Sequence, residues 1–126
     1  MRAATRMYYP FKNMLTTQHM LLVLTTWPDR ASAAAFAQRV LEARLAACVH
    51  IGMPVQALYR WQGKIEQGEE IPLQIKTTQA RYAEVQAAIQ AAHPYDVPEI
   101  VAVPISEGLP AYMNWGAAET EPLQRT

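Results

Sequence analysis

The 126-residue chain contains one cysteine, Cys48, so no intrachain disulfide can form, and the sequence suits a reducing compartment, with the cytoplasm as the expected location. Charge is scarce at 17%, and eleven basic residues balance eleven acidic ones. Such a chain sets up no long-range field to attract phosphate backbones or an anionic bilayer, and neither nucleic acid nor membrane is an expected partner. Long apolar runs are also missing. The first, Met20 to Leu24, falls far short of the about 20 residues needed to span a bilayer. Residues 1–18 carry Arg2, Arg6 and Lys12 but no apolar stretch of the kind a secretory signal requires, and read as an N-terminal extension. No Walker loop, dinucleotide fingerprint, CxxC pair or nucleophile elbow occurs, so no organic cofactor is expected.

What the chain does have is apolar content, 51% of residues, enough for a single domain with a real core. His19 to Thr26 (HMLLVLTT) reads as a buried strand. Asp29 is placed to cap a helix whose apolar positions Ala33, Phe36, Ala37, Val40, Leu41 and Leu45 recur at helical spacing. Ala46 to Trp61 alternates as one long strand interrupted at Gly52 and Pro54, and Gln62-Gly63 supplies a hairpin turn. A third strand follows over Ile71 to Thr77, after an irregularity expected at Gly68. Within it Pro72 must avoid a ladder bond by lying at an edge, at a bulge or with its nitrogen turned from a partner. Thr78 is the expected cap of a second helix with an inner face of Tyr82, Val85, Ile89 and Ala92, ending at His93 before Pro94. Glu99 to Ile105 reads as the last strand, and Pro110 to Ala118 as a short terminal helix.

The order is β-α-β-β-α-β plus a short helix, an α+β, ferredoxin-like split βαβ pattern over 19–118, followed by a tail at 119–126. Right-handed crossovers put both long helices on one sheet face. The first and last strands (LLVL, IVAV) are apolar at successive positions, so their other face needs a cover. Identical subunits are the expected cover, with the extension as the alternative. Tyr59, Trp61, Tyr112 and Trp115, large aromatics beside polar neighbours, are the expected interface anchors, or else the lining of a pocket between subunits.

Six strings, LTTWPD, LAACVHI, LYRWQGKI, the pair Lys76-Thr77, HPYDVPEIVAVPI and the terminal Ala-Tyr-Met-Asn-Trp, resemble the CutA divalent-cation tolerance family in order and spacing from about His19 to Ala118. The resemblance implies a ferredoxin-like trimer, similar in architecture to the PII signalling proteins and linked to tolerance of copper and other divalent cations. It also implies a copper site built from a first-strand Cys and a His-His pair. Thr25 stands at that Cys position and Ala92-His93 at the His pair, so of those ligands only His93 is present.

Among candidate site residues, Cys48 and His50 project to one strand face as a soft thiol and imidazole pair, although a lone Cys is more often a core residue. His93, Tyr95 and Glu99 cluster around Pro94 and Pro98, where imidazole and carboxylate could share a divalent cation or a proton. The plainer reading has His93 capping the last helix carbonyls. Lys76, beside Gln74 on the non-core phase of its strand, suits either an anionic group in a subunit cleft or a solvated strand position. The leading expectation is a metal-tolerance or signalling protein without enzymatic activity, holding copper, another divalent cation or a small ligand in a cleft formed by Lys76, His93, Tyr95 and Glu99. The alternative is an enzyme using His93, Glu99 and Lys76 across a subunit boundary.

Overall fold

The computed structural model of the protein describes residues 19–123; the 1–18 extension and the last three residues of the expected tail lie outside the described residues. Strand β1 (Met20–Trp27) alternates as the pleat demands: Leu21, Val23, Thr25 and Trp27 are buried against the helices, while Leu22, Leu24 and Thr26 are half-buried on the reverse face. Asp29 caps helix α1 (Arg30–Glu42) by accepting the Ser32 N–H at 2.8 Å. That backbone bond, with help from the Ser32 hydroxyl, holds the Asp29 carboxyl below its ordinary range.

The end of α1 comes earlier than its apolar spacing suggests. Arg44 adopts φ 60°, its N–H donates to the Leu41 carbonyl at 3.0 Å, and the Leu45 N–H donates to Val40 at 2.9 Å. This is a Schellman ending with arginine where glycine is usual. The reversal leaves Leu41 exposed and carries Leu45 off the helix to pack on the core from the following loop. Both residues were expected on the helix face. The Arg44 guanidinium donates to the carbonyls of Ala118 and Glu121, each at 2.8 Å.

The expected long second strand is two strands, β2 (Cys48–Ile51) and β3 (Val55–Trp61), which both pair with β4 (Lys64–Thr78). Ile51 lies opposite Leu73 and Val55 opposite Glu70, so one extra residue bulges out between them on the β2–β3 side. Pro72 sits at this bulge. Its carbonyl accepts the Gly52 N–H at 2.8 Å, so its nitrogen points to the same interrupted side and forfeits no ladder bond. Gly52 fits because any Cβ there would lie 2.8 Å from the Pro72 ring carbon Cγ. Gln62 (φ 51°) and Gly63 (φ 79°) form a two-residue turn of the primed type that matches strand twist. Strand β4 begins seven residues before the expected Ile71, and Gly68 is paired regularly with Ala57 rather than marking an irregularity.

Helix α2 (Tyr82–Ala92) is entered through a 3-10 turn at Gln79–Arg81. Thr78 makes no capping bond; it is buried, and the chain is held there by the Gln79 N–H donating to the His19 carbonyl at 2.7 Å. Val85 and Ile89 are the buried residues of α2, while Tyr82 is half-buried and Ala92 exposed. Strand β5 (Val101–Pro104) is shorter than expected, and helix α3 (Pro110–Glu119) is one residue longer. Thr120 closes α3, donating its hydroxyl to the Gly116 and Ala117 carbonyls.

The sheet order is β2-β4-β1-β5 with β3 also on β4, antiparallel at each pairing, so the molecule is a mixed α+β fold with an antiparallel sheet and three helices. The core lies between sheet and helices α1 and α2: Val23, Trp27, Leu73 and Ile75 meet Phe36, Val40, Val85 and Ile89, with the Trp27 and Phe36 rings stacked at 4.5 Å. The other sheet face is covered at one end by α3. There Gly116 lies so close to Met20 that a Cβ would come within 2.6 Å of its Cε. Farther along, Val101 (49% exposed) and Val103 (45% exposed) stand beside Leu24 and Leu22, an apolar strip that a single chain leaves open.

Candidate functional site

At the opposite end of β1 from α3, the β3–β4 hairpin runs past the sheet, and the chain leaving α2 returns toward β5. The space between them is an open groove of about 730 Å³. One wall comes from the alternating phase of β3: Ala57, Tyr59 and Trp61 line it, and Glu70, opposite Val55 in register, faces the same way. The other wall is the loop Pro94 to Glu99, presenting Tyr95, Asp96 and Glu99, with Thr26 of β1 also lining the groove.

His93 anchors the loop wall. Its Nε2 lies 2.7 Å from the Thr26 carbonyl and its Nδ1 accepts the Tyr95 N–H at 3.1 Å, an arrangement that fixes the proton on Nε2. The ring is buried, lying between Trp27 at 4.4 Å and Tyr95 at 4.7 Å. Both ring nitrogens therefore already have partners, and a metal could reach His93 only by displacing one of them. The last carbonyls of α2 are not what the imidazole binds; it reaches across to β1 instead. Tyr95 is partly desolvated and feels Glu70 and Tyr59 nearby, which together push its phenol above the ordinary tyrosine value and keep it protonated at neutral pH.

Lys76 lies elsewhere. It is opposite Leu22 and Cys48 in register, at the α3 end of the open face. Its Nζ donates to the Tyr112 hydroxyl at 3.2 Å and stands 5.1 Å from the centre of that ring. Trp115 packs on Tyr112 with ring centres 5.3 Å apart. Leu22 and Thr26 are four residues apart on β1, a separation of roughly 13 Å along the strand, so one chain does not bring Lys76 to His93. The aromatics thus divide into two sets, Tyr59 and Trp61 in the groove and Tyr112 and Trp115 over Lys76.

Cys48 and His50 are on the open face, with Sγ 3.9 Å from Nε2; Cys48 is half-buried rather than a core residue. The pair offers two donors. Among the described residues of one chain, no three His, Cys, Asp or Glu side chains are grouped to hold a metal ion. A resident metal therefore does not fit the donors of a single chain.

Glu70 and Asp96 were missed by sequence reasoning. Glu70 precedes the expected start of the third strand, and only the hairpin register shows that it shares a face with Tyr59. Asp96, beside Tyr95, carried no spacing signal of its own.

The CutA1 divalent ion tolerance protein family model matches residues 21–119. The divalent-cation tolerance protein CutA of Thermus thermophilus is 43% identical over 94 residues, covering 75% of this chain and 91% of that protein. Its counterpart in Pectobacterium atrosepticum is 38% identical over 95 residues, covering 75% and 86%. The solved Thermus thermophilus structure superposes with a TM-score of 0.79 at 40% identity, covering 81% of this chain and 99% of that one. The family match extends from β1 to the end of α3 and so takes in the sheet, the open face and both walls of the groove, and the chain belongs to the CutA1 divalent ion tolerance family.

Proposed function

We propose that this protein serves divalent-cation tolerance as a cytoplasmic, non-enzymatic homotrimer of PII-like architecture, in which the groove becomes a cleft between subunits for a divalent cation or small ligand. The observation that carries the reading is the open groove bounded by Tyr59, Trp61, Glu70 and the Tyr95–Glu99 loop, next to the uncovered apolar strip of Leu22, Leu24, Val101 and Val103. Apolar surface of this extent gains free energy when a partner covers it, at roughly 25 cal/mol per Å² buried. The donor arithmetic points the same way. A cation needing three or more protein ligands from these residue types would draw on more than one chain, with Cys48, His50 and the groove carboxylates as available groups.

Light scattering tests assembly, with an expected mass three times the 14.1 kDa chain; the monomer mass would refute it. Calorimetric titration with copper(II) tests the ligand role. Stoichiometric binding weakened by Glu99→Gln or Cys48→Ser is expected, and wild-type protein that takes up no copper would remove the metal from the proposal.

A further inference from the structure

The groove has a one-sided chemistry. The chain as a whole balances its charges, yet the charged residues lining the groove, Glu70, Asp96 and Glu99, are all acidic. Three aromatic rings, Tyr59, Trp61 and Tyr95, line the same space, each between 42% and 48% exposed and therefore open to a ligand. Carboxylates repel anions, and aromatic faces attract cations through the ring quadrupole.

The kind of cation follows from spacing. A bare divalent ion takes its oxygen donors at about 2.0–2.6 Å and so requires carboxylates that converge. Those of the groove stand on two walls, Glu70 on the hairpin and Asp96 and Glu99 on the loop, and among the described residues of one chain no three acidic, His or Cys side chains are grouped to hold a metal ion. Separate carboxylates instead match a ligand whose positive centres are themselves separate. Aliphatic surface from Val97 and the proline rings of Pro94 and Pro98 also lines the groove and suits methylene spacers. The volume, about 730 Å³, is in the range of small-molecule sites. Much of the loop wall is also preformed, because the bonds of His93 to Thr26 and Tyr95 and the fixed φ of Pro94 and Pro98 hold it.

We propose that this groove binds an elongated organic polycation, a linear polyamine whose ammonium centres pair with Glu70, Asp96 and Glu99 while its methylene chain lies against Tyr59, Trp61 and Tyr95. This rests on the reading of the groove as a ligand site but not on the metal or on assembly. At neutral pH the protonated Tyr95 phenol adds a hydrogen-bonding group without adding charge to the wall.

Calorimetric titration of the full-length protein with spermidine is the test, with light scattering and copper titration run on the same samples. Saturable spermidine binding is expected, weakened about tenfold by Glu70→Gln and by Glu99→Gln, and weakened far less by magnesium at matched ionic strength. The glutamine variants alter exposed or half-exposed carboxylates with little change of shape, so folding is not at stake. Absence of spermidine binding, equal binding by wild type and both glutamine variants, or full displacement by magnesium would overturn the proposal. If assembly and copper uptake persisted in that case, the broader function would stand without it. The basic segment at 1–18 is the competing occupant. Spermidine binding that appeared only after Arg2→Ser, Arg6→Ser and Lys12→Ser together would assign the groove to that segment and overturn the proposal as well.

Discussion

Arg44 holds a left-handed backbone position that glycine would occupy without strain, and its side chain explains why arginine is there. Replacing it with glycine relieves about 1 kcal/mol of backbone strain. The same change removes two guanidinium bonds, one to the Ala118 carbonyl in the last turn of α3 and one to the Glu121 carbonyl just beyond it, where a positive charge also complements the helix dipole. The bonds outweigh the strain, so Arg44→Gly is expected to destabilise by about 1–2 kcal/mol in urea unfolding. Thr25 gives the opposite sign. Its Oγ1 is buried with no hydrogen-bond partner among the described residues, so Thr25→Val, which keeps the shape and deletes the hydroxyl, is expected to stabilise by about 1 kcal/mol in the same measurement. Asp29 supplies a pH dependence. Because folding lowers its pKa below 3.8, its contribution is fully present above that unfolded value and is lost as pH falls through the lower folded one. The stability difference between wild type and Asp29→Asn, followed by urea unfolding from about pH 7 to about pH 2, should therefore shrink toward zero only at the acid end; a difference that grew on acidification would contradict the cap assignment. Of these three features only the Asp29 cap was legible in the sequence, since it depends on a neighbour three residues away.

Among the elements, the junction of β2, β3 and β4 shows how local punctuation becomes geometry. Gly52 and Pro54 announced an interruption and Pro72 announced a missing donor; the structure puts the interruption and the missing donor opposite each other. Gly52→Ala forces a methyl to within 2.8 Å of the Pro72 ring, and the bulge must shift to admit it. A loss of about 1–3 kcal/mol is expected by urea unfolding, whereas Gly68→Ala, with nothing within 4 Å of its Cβ, should be close to neutral. Helix ends were read less well than strand interiors. The periodicity of α1 continues through Leu45, but the chain stops at Glu42 because the Arg44 reversal is secured by contacts to α3, which are remote in sequence. Thr78 has the residue type of a cap, yet burial in the strand end removes its side chain from the first turn of the helix. The early start of β4 went unread because Lys64 to Glu70 carries a single apolar side chain, the exposed Ile65, and so no alternation; pairing with β3, not burial, makes it a strand.

For the whole molecule, the decisive surface is the strip of Leu22, Leu24, Val101 and Val103. If identical subunits cover it, placing a carboxylate there should be far more damaging to assembly than to the fold of the chain. Val103→Asp is expected to shift the light-scattering mass toward 14.1 kDa while circular dichroism stays native-like, and Trp61→Ala should weaken assembly more than Gln62→Ala. Retention of wild-type mass by Val103→Asp at micromolar concentration would exclude that strip from the interface. The sequence by itself determined the order of strands and helices, the buried phase of β4 from Ile71 onward, the hairpin at Gln62-Gly63 and the membership in a family, because alternation, helical spacing and turn chemistry are short-range properties. Only the tertiary structure decided that Lys76 belongs with Tyr112, that both nitrogens of His93 are engaged, and that Glu70 joins Tyr59, Trp61 and Tyr95 around one groove. Those facts depend on which residues come to lie opposite each other across strand pairs and after a helix crossover, and register between distant segments is set by the packing of the whole core rather than by any local pattern.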